Sequence, residues 1–275
     1  MGDLVQLGQD LADCEDQIDG GDDVAGVFAA NEFALILVHG AGGGAWEWVQ
    51  WEAAIRVARP SWRCISVHLS PPAGKDYETT AFDDYVEQVI AAAQQGVDRS
   101  KCKLVLVGAS MGGSLVAKAS ETLLPDAIVF VCTTVPLLGG CSDEPSAAAP
   151  LLGDLSPARI KWSGGHLQAT IDAMPDATLE MCQYACARWR DESGAVCNAI
   201  RAGIKCNLLV GTTPMCVVIP KADTSVPSSL QEKFAKDIRA TVLEYDDMSH
   251  VGPLLGERGK EVAIDVVSFL EKNSS

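Results

Sequence analysis

The sequence predicts an α/β protein with a mostly parallel sheet, helices on both faces and a small inserted cap. Apolar runs of strand length alternate with helical patterns along most of the chain, as in parallel sheets whose strands are buried on both faces. The 275 residues, 48% of them hydrophobic, are enough to bury one large core. We expect buried strands at 33–38, 64–69, 104–108, 127–132, 215–219 and 241–245.

The first strand runs into a glycine-rich loop that begins with His39 and continues Gly-Ala-Gly-Gly-Gly-Ala-Trp. Such a loop lets main-chain N–H groups come close to a substrate, so we expect the N–H of Ala41 to form half of an oxyanion hole. Gly40 would face the substrate beside it. The alternative is a flexible turn before a helix predicted at 46–58.

The clearest helix is predicted at 80–95, after the second strand. Its apolar residues recur at the 3.6-residue spacing of a helix with one buried face. They are Phe82, Tyr85, Val86, Val89, Ile90 and Ala93.

The third strand ends in a Gly-x-Ser-x-Gly turn centred on Ser110, and a helical pattern follows at 114–122. A serine at such a sharp turn from strand to helix has its hydroxyl pushed out at the top of the sheet. The helix directs unpaired N–H groups at the same region. We therefore expect Ser110 to be a nucleophile and the N–H of Met111 to be the second oxyanion donor.

Residues 137–205 interrupt the alternation of strands and helices, and they predict an insertion that lies over Ser110 as a cap. Prolines and glycine pairs mark turns in it, while residues 178–190 have a helical pattern. Its apolar side chains are expected to line a substrate pocket, although each of them could instead pack the cap against the body. The substrate-binding candidates are Leu137, Leu138, Trp162, Met181 and Trp189.

A nucleophilic serine needs a base, and the chain offers His39, His68, His166 and His250. His250 follows the last strand, in a loop on the rim of the sheet that also carries Ser110. We therefore predict that His250 is the base, with His39 as the alternative.

The base in turn needs a carboxylate that orients it. Asp223 comes directly after the strand at 215–219, on the same rim. Asp246 and Asp247 are rivals, but they lie too close to His250 along the chain to reach back easily. We predict that Asp223 is the third member of the triad.

In chain order the three residues are Ser110, Asp223 and His250, which is the order found in α/β-hydrolases. With these motifs the chain resembles the α/β-hydrolase superfamily, and its loop after His39 resembles that of the plant esterase and hydroxynitrile lyase branch. The similarity covers most of residues 33–271. It implies esterase-type chemistry with a Ser110–His250–Asp223 triad.

Two positions depart from the lyases of that branch, where threonine typically follows the loop histidine and lysine follows the catalytic histidine. Here those positions are Gly40 and Val251. Both departures favour hydrolysis over cyanogenic cleavage. Haloalkane dehalogenases and epoxide hydrolases of this fold carry aspartate in place of the serine in the turn between strand and helix, which is called the nucleophile elbow. Ser110 therefore argues against these two classes of enzyme as well.

The sequence therefore predicts a serine hydrolase, of the carboxylesterase type, that cleaves small apolar or aromatic carboxylic esters through an acyl-enzyme, without a cofactor. A cofactor-free lyase or a ligand-sensing receptor on the same fold remain alternatives. A thioesterase, a lactonase or an acyltransferase would have the same sequence features.

Charge separates the first 32 residues from the rest. They are rich in aspartate and glutamate, and the first basic residue is Arg56, so we expect a partly ordered acidic arm at 1–32 before a core at 33–136 and 206–275. The net charge of −16 argues against nucleic acid and anionic membranes as partners. We see no secretion signal or apolar run of membrane length, and expect a cytoplasmic protein.

Ten cysteines raise the question of metals and disulfides. Cys182 and Cys186 are four apart on a predicted helix, but no histidine accompanies them and no Cys-x-x-Cys pair exists. We therefore expect reduced thiols and no metal. The sequence leaves the oligomeric state open.

Overall fold

The computed structural model describes residues 32–139 and 155–273, and a six-stranded sheet lies at its centre. The strands pair in parallel, in the spatial order β6-β5-β4-β3-β1-β2. Their bounds are β1 Phe33–Val38, β2 Arg63–Val67, β3 Lys103–Ala109, β4 Ala127–Val131, β5 Met215–Pro220 and β6 Thr241–Tyr245.

Nine α-helices are present in the described part of the chain. They are α1 Val49–Ala58, α2 Phe82–Gly96, α3 Met111–Leu123, α4 Leu167–Ala173, α5 Leu179–Cys186, α6 Gly194–Ala202, α7 Ser228–Asp237, α8 Gly252–Leu255 and α9 Gly259–Lys272. The predicted α/β class, with a parallel sheet and helices around it, is confirmed.

The sheet separates two apolar cores because successive side chains of a strand point to opposite faces. On β1, Phe33, Leu35 and Leu37 belong to one core, which α1 and α9 cover. The intervening Ala34 and Ile36 belong to the other core, which α2, α3 and α7 cover. The strand is buried throughout because both faces are covered.

The second strand differs from the prediction of a buried strand at 64–69. Strand β2 is Arg63–Val67, and most of its residues are half-buried or exposed. The reason is its place at the edge of the sheet, beside β1 only. Strand β6, at the other edge, is likewise mostly exposed. An apolar run does not by itself tell a central strand from an edge strand.

Helix boundaries also differ from the predicted ones. The helix predicted at 46–58 is split into a 3₁₀ turn, Ala45–Trp48, and α1. The helix predicted at 178–190 ends already at Cys186, although its start is capped, since the Thr178 hydroxyl accepts a hydrogen bond from the Met181 N–H at 3.2 Å. A turn at 187–188 follows, and the chain then leads to the short strand Glu192–Ser193.

The two ends of the predicted insertion lie side by side. Leu137 pairs with Lys205 and Leu138 with Cys206, as two short parallel strands. Between them come helices α4–α6 and a short antiparallel pairing of Arg159–Ile160 with Glu192–Ser193. The predicted division into arm, core and cap stays a prediction, because residues 1–31 and 140–154 lie outside the described part.

Within that described part, no helix is both long enough and apolar enough to cross a bilayer.

Candidate active site

Ser110 occupies the turn between β3 and α3 in a backbone conformation that is rare for a residue with a side chain. Its φ is 51° and its ψ is −118°. The turn is fixed from both sides: the Ser110 N–H donates to the Val131 carbonyl at 2.9 Å, and the Ser110 carbonyl accepts from the N–H groups of Gly113 at 3.0 Å and Thr134 at 3.1 Å. Strain of this kind persists only where surrounding contacts impose it, and it is frequent at functional sites.

The glycines of the elbow are required by close backbone contacts. A β-carbon on Gly112 would lie 2.7 Å from the His39 carbonyl oxygen and even nearer to that of Val38. A β-carbon on Gly108 would overlap the backbone of Gly112. The Gly-x-Ser-x-Gly pattern thus follows from the packing of α3 against the end of β1.

The structure brings the three predicted catalytic residues into one hydrogen-bonded chain. The Ser110 hydroxyl donates to Nε2 of His250 over 2.9 Å. Nδ1 of His250 donates to Oδ2 of Asp223 over 2.8 Å. Because an ionised carboxylate only accepts, Nδ1 carries the proton and Nε2 has its lone pair free for the serine hydroxyl. This is the tautomer that a base for Ser110 needs.

Asp223 is held by several donors besides His250. Its Oδ1 accepts from the N–H groups of Ser225 at 2.7 Å and Val226 at 2.9 Å. Its Oδ2 also accepts from the Gln231 amide at 3.2 Å. The side chain is fully buried, and these donors stabilise its negative charge there. The rival Asp247 instead forms an exposed ion pair with Arg258.

The loop that carries His250 is fixed by a residue that the sequence analysis missed. Asp176, between α4 and α5, accepts hydrogen bonds from the Ser249 N–H at 2.9 Å and from the Ser249 hydroxyl at 2.5 Å. The Asp176 carbonyl accepts from the Glu257 N–H at 2.9 Å. A lone aspartate in a predicted turn gives no signal of this contact, since its partner lies more than seventy residues further along the chain.

The glycine-rich loop leaves one amide available at the predicted position. The N–H of Gly40 donates to Glu47 at 3.2 Å, and that of Gly42 donates to Glu192 at 3.1 Å. The N–H of Ala41, between them, has no hydrogen bond to another residue that the structure describes. Met111 begins α3, so its N–H has no acceptor within the helix. Both residues line the same cavity as Ser110.

His39, the alternative base, is a buried structural residue. Its Nδ1 donates to the Gly40 carbonyl at 2.7 Å, and its Nε2 accepts from the Leu69 N–H at 3.1 Å. Loss of solvent lowers the pKa of His39 to about 3. The imidazole is therefore neutral over the physiological range, and both of its nitrogens are already engaged.

Glu47 is a buried carboxyl group beside the glycine-rich loop. Loss of solvent raises its pKa to about 8, although the Gly40 N–H and the nearby Arg190 charge act in the opposite direction. Glu47 also lines the cavity that contains Ser110. At neutral pH it is a neutral acid next to the site, which nothing in the sequence pattern suggested.

Ser110 and His250 line a cavity of about 390 Å³. Of the predicted substrate-binding residues, Gly40, Trp162 and Trp189 line it. Other lining residues were not predicted from the sequence. Helix α6 contributes Cys197, Ile200 and Arg201. The rest of the chain contributes residues that include Cys132, Thr134, Val226, Val251 and Leu254.

Three of the predicted substrate-binding residues lie elsewhere. Leu137 and Leu138 form the short strand that closes the base of the insertion, and the Leu137 N–H donates to the Ile204 carbonyl at 2.8 Å. Met181 packs against the apolar core under α5. These three residues are not among those that line the cavity, and their part in substrate binding stays a prediction.

Two tryptophans of the segment between β4 and β5, Trp162 and Trp189, line the cavity. Trp162 lies against Gly42, where an added β-carbon would overlap its ring. Asp191 holds this segment, accepting from the N–H groups of Trp162 at 3.2 Å and Ser163 at 2.9 Å. Trp189 packs edge-to-face on Trp46, with ring centroids 5.1 Å apart.

Among the residues that the structure describes, no group of three or more His, Cys, Asp and Glu side chains is arranged to hold a metal ion. Cys182 and Cys186 are both free thiols.

Known proteins can be compared with this chain in three features: the strand order, the turn of Ser110 after β3, and the loops of Asp223 and His250 after β5 and β6. The family model described as "Alpha/beta hydrolase family" matches residues 35–266. The chain belongs to this family. The match covers the sheet, except for the first two residues of β1, together with the loops of Ser110, Asp223 and His250.

A curated relative of this alpha/beta hydrolase is Esterase PIR7B of Oryza sativa subsp. japonica. The two are 40% identical over 114 residues, which are 38% of this chain and 40% of the relative. The aligned region thus spans well under half of the rice protein's length.

Solved structures share the fold of this alpha/beta hydrolase over most of its length. Polyneuridine aldehyde esterase is 20% identical, with a TM-score of 0.66 over 86% of this chain and 100% of the other. The methylesterase MES16 from Arabidopsis is 17% identical, with a TM-score of 0.67 over 86% and 99%. Tomato methylketone synthase I, in complex with 2-tridecanone, is 18% identical, with a TM-score of 0.65 over 90% and 100%.

Proposed function

We propose that this alpha/beta hydrolase is a serine esterase that cleaves small apolar or aromatic carboxylic esters. The observation that carries the proposal is the chain of hydrogen bonds from Ser110 through His250 to Asp223, with distances of 2.9 and 2.8 Å. The curated relative is named an esterase, which agrees with this chemistry.

In the acylation step, His250 takes the hydroxyl proton of Ser110 as the serine oxygen attacks the ester carbonyl. The carbonyl oxygen becomes negative, and the N–H groups of Ala41 and Met111 are available to stabilise it. Loss of one such donor typically costs ~10²–10³ in rate. Asp223 stabilises the imidazolium that forms and holds its orientation. His250 then gives the proton to the leaving alcohol, which leaves an acyl-enzyme on Ser110.

In the deacylation step, a water molecule takes the place of the alcohol. His250 removes its proton as it attacks the acyl carbonyl, and the same two amides stabilise the second tetrahedral intermediate. Collapse of that intermediate returns the proton to Ser110 and releases the carboxylic acid. The cycle needs no cofactor.

The cavity supports a small and largely apolar substrate. Its volume of about 390 Å³ is at the lower end of the range for small-molecule sites. Trp189, Ile200 and Leu254 give it apolar walls, and Trp162 covers it from the side of the cap. Apolar walls exclude water and strengthen the hydrogen bonds made to the oxyanion.

Two positions argue against a cyanogenic lyase. A lyase of the branch that this chain resembles carries threonine where this chain has Gly40, and an added β-carbon there would lie 3.2 Å from the Ser110 β-carbon. It carries lysine where this chain has Val251, which lines the cavity and brings no charge. With neither group present, hydrolysis is the activity that the site favours.

The test is labelling with a fluorophosphonate together with hydrolysis of p-nitrophenyl acetate, butyrate, octanoate and laurate. Wild-type protein should react with the label and hydrolyse the shorter esters, and Ser110→Ala should do neither. Labelling without ester hydrolysis would contradict the proposed esterase activity and favour the lyase or receptor alternative. Turnover that survives Ser110→Ala in a pure sample would contradict the assigned nucleophile.

We also propose that the substrate is a small molecule and that the protein works in a reducing compartment such as the cytoplasm. The eight described cysteines are all free. Burial raises the pKa of the Cys64, Cys197, Cys206 and Cys216 thiols to about 12, which keeps them protonated and unreactive. The esterase activity should therefore be complete with all thiols reduced, in excess dithiothreitol, and a loss of activity under this reduction would contradict the proposal because it would show that activity depends on a disulfide.

A further inference from the structure

Hydrogen bonds hold the glycine-rich loop at 39–46, called the oxyanion loop below, on both sides of Ala41. The Gly42 carbonyl accepts from the Arg190 N–H at 2.8 Å, and the Gly43 carbonyl accepts from Nε of Arg190 at 2.7 Å. The Gly42 N–H donates to Glu192 at 3.1 Å. These partners come from one segment of the predicted cap, between α5 and α6. Two successive loop positions, Gly42 and Gly43, thus depend on residues more than a hundred positions further along the chain.

Glu192 is the centre of this contact. Its side chain is buried, and it accepts three hydrogen bonds: from the N–H of Gly42 at 3.1 Å, the N–H of Ser193 at 2.7 Å and the hydroxyl of Tyr85 at 2.8 Å. Tyr85 belongs to α2, in the body of the protein. Three donors on one buried carboxylate fix its position.

The position of the Gly42 amide fixes the Ala41 α-carbon and carbonyl, because both belong to the planar peptide group before Gly42. The Gly40 amide is fixed from the other side by Glu47, at 3.2 Å. The peptide group that carries the Ala41 N–H also carries the Gly40 carbonyl, which accepts from Nδ1 of His39 at 2.7 Å and from the Gly43 N–H at 3.2 Å. With the flanking peptides held, rotation of the Ala41 N–H away from Ser110 would break these bonds.

We propose that Glu192 is a positioning residue that aims the Ala41 N–H at the developing oxyanion. The inference rests on the proposed esterase function and adds a part to it. Glu192 does not touch the reacting atoms. It acts through Gly42, and it makes the cap a component of the oxyanion hole in addition to a cover for the substrate.

The neighbouring Asp191 offers a matched comparison. It is also buried, also acidic and in the same segment, but it holds Ser163 and Trp162 and pairs with Arg159 at 2.6 Å. It makes none of the contacts to the oxyanion loop described above. A variant at Asp191 therefore reports on the wall of the pocket, and a variant at Glu192 reports on the oxyanion hole.

The experiment compares Glu192→Gln and Asp191→Asn with wild type, using kcat, KM and two inhibitors. The Ser110 oxygen adds to the carbonyl of a trifluoromethyl ketone, and the product has an oxyanion in the oxyanion hole. The corresponding secondary alcohol has no carbonyl and cannot react in this way. For Glu192→Gln we expect kcat to fall about 10- to 100-fold with KM little changed, since small misplacements of a catalytic donor cost this much. The ketone should bind more weakly by a similar factor, and the alcohol should bind as before.

Asp191→Asn should give the opposite pattern of effects: KM should rise, both inhibitors should bind more weakly, and kcat should change less than in Glu192→Gln. Unchanged kcat and ketone binding in Glu192→Gln would overturn the proposal, and so would equal losses for both inhibitors. If Glu192→Gln does not fold, Glu192→Asp keeps the charge but shortens its reach, and the same effects as for Glu192→Gln are expected. A wild-type protein without turnover or label would refute the esterase proposal itself, a different result from an active enzyme that is indifferent to Glu192.

Discussion

The carboxylate of Asp223 lies 2.8 Å from Nδ1 of His250, while the other ring nitrogen of that histidine lies 2.9 Å from the hydroxyl of Ser110. The aspartate comes from the loop after β5 and the histidine from the loop after β6, two neighbouring parallel strands at one edge of the sheet. Their contact is therefore a product of strand order, and it leaves the imidazole with one direction in which to accept a proton.

Asp223→Asn should lower kcat by a factor on the order of 10⁴, because an amide favours the wrong imidazole tautomer. Asp247→Asn is the matched control, since Asp247 lies in the loop of His250 but forms an exposed ion pair with Arg258. The control should keep wild-type activity. Steady-state kinetics on p-nitrophenyl butyrate decide the question, and comparable losses in the two variants would remove Asp223 from the triad.

Gly40→Ala should slow acylation. The added β-carbon would lie 3.2 Å from the Ser110 β-carbon, which is tighter than an ordinary contact, and 3.8 Å from the Ser110 hydroxyl oxygen. A shift of the nucleophile by a few tenths of an ångström should reduce kcat by about tenfold. The rate of fluorophosphonate labelling measures the step directly. A variant that labels as fast as wild type would show that the elbow can adjust at no cost.

Glu47 should limit activity at high pH. Its pKa of about 8 means that it ionises above that pH, which places a negative charge beside the oxyanion loop. Wild-type kcat should therefore decline above pH 8, whereas Glu47→Gln, which stays neutral, should hold its rate there. Profiles from pH 6 to pH 10 test this. Parallel declines in both proteins would assign the loss to another group.

The same carboxyl group should affect stability with a defined sign. Burial raises the pKa of Glu47 from 4.5 to about 8, so the folded state keeps the proton over a range in which the unfolded chain loses it. Its contribution therefore favours unfolding increasingly as the pH rises from 4.5 to 8, and levels off above 8. Denaturant titrations should show Glu47→Gln gaining stability relative to wild type across that interval. A constant difference would contradict the buried, protonated state.

Asp176→Asn should reduce kcat by about tenfold without abolishing it. An asparagine can accept only one of the two hydrogen bonds that Asp176 accepts from Ser249, so the loop of His250 should become less well fixed. Ser249→Ala, which removes the hydroxyl bond alone, should have a smaller effect. The comparison uses kcat and the labelling rate of Ser110, and a larger loss in Ser249→Ala would contradict the proposed role of Asp176.

The sequence was sufficient for the elements whose signals are local. An apolar strand that ends in glycines around Ser110 is a contiguous pattern, and the fold class follows from the alternation of such strands with helices. The structure also joins Ser110, Asp223 and His250, which the positions after β3, β5 and β6 had suggested. Burial of β2 was overestimated because the order of strands in space is not written in a single strand.

The residues that sequence reasoning missed act through distant partners. Glu192 and Asp176 each accept hydrogen bonds from loops that are far away along the chain, and an acidic residue in a turn normally indicates only solvent exposure. Glu47 follows a tryptophan in a short helical turn, where its burial depends on the loop folding back over it. Leu137, Leu138 and Met181 show the converse, since apolar character predicts burial but does not tell a pocket wall from a core.

The paired ends at Leu137 and Lys205 make the inserted segment resemble a cassette that enters and leaves the body at one point. Recombination could exchange such a cassette without disturbing the sheet. Glu192 and Asp176, however, both belong to it, so a donor cassette that lacks equivalent acids would impair the rate of the reaction as well as alter the choice of substrate. In lineages of this protein, new specificities acquired by exchange would therefore come with a linked change in turnover.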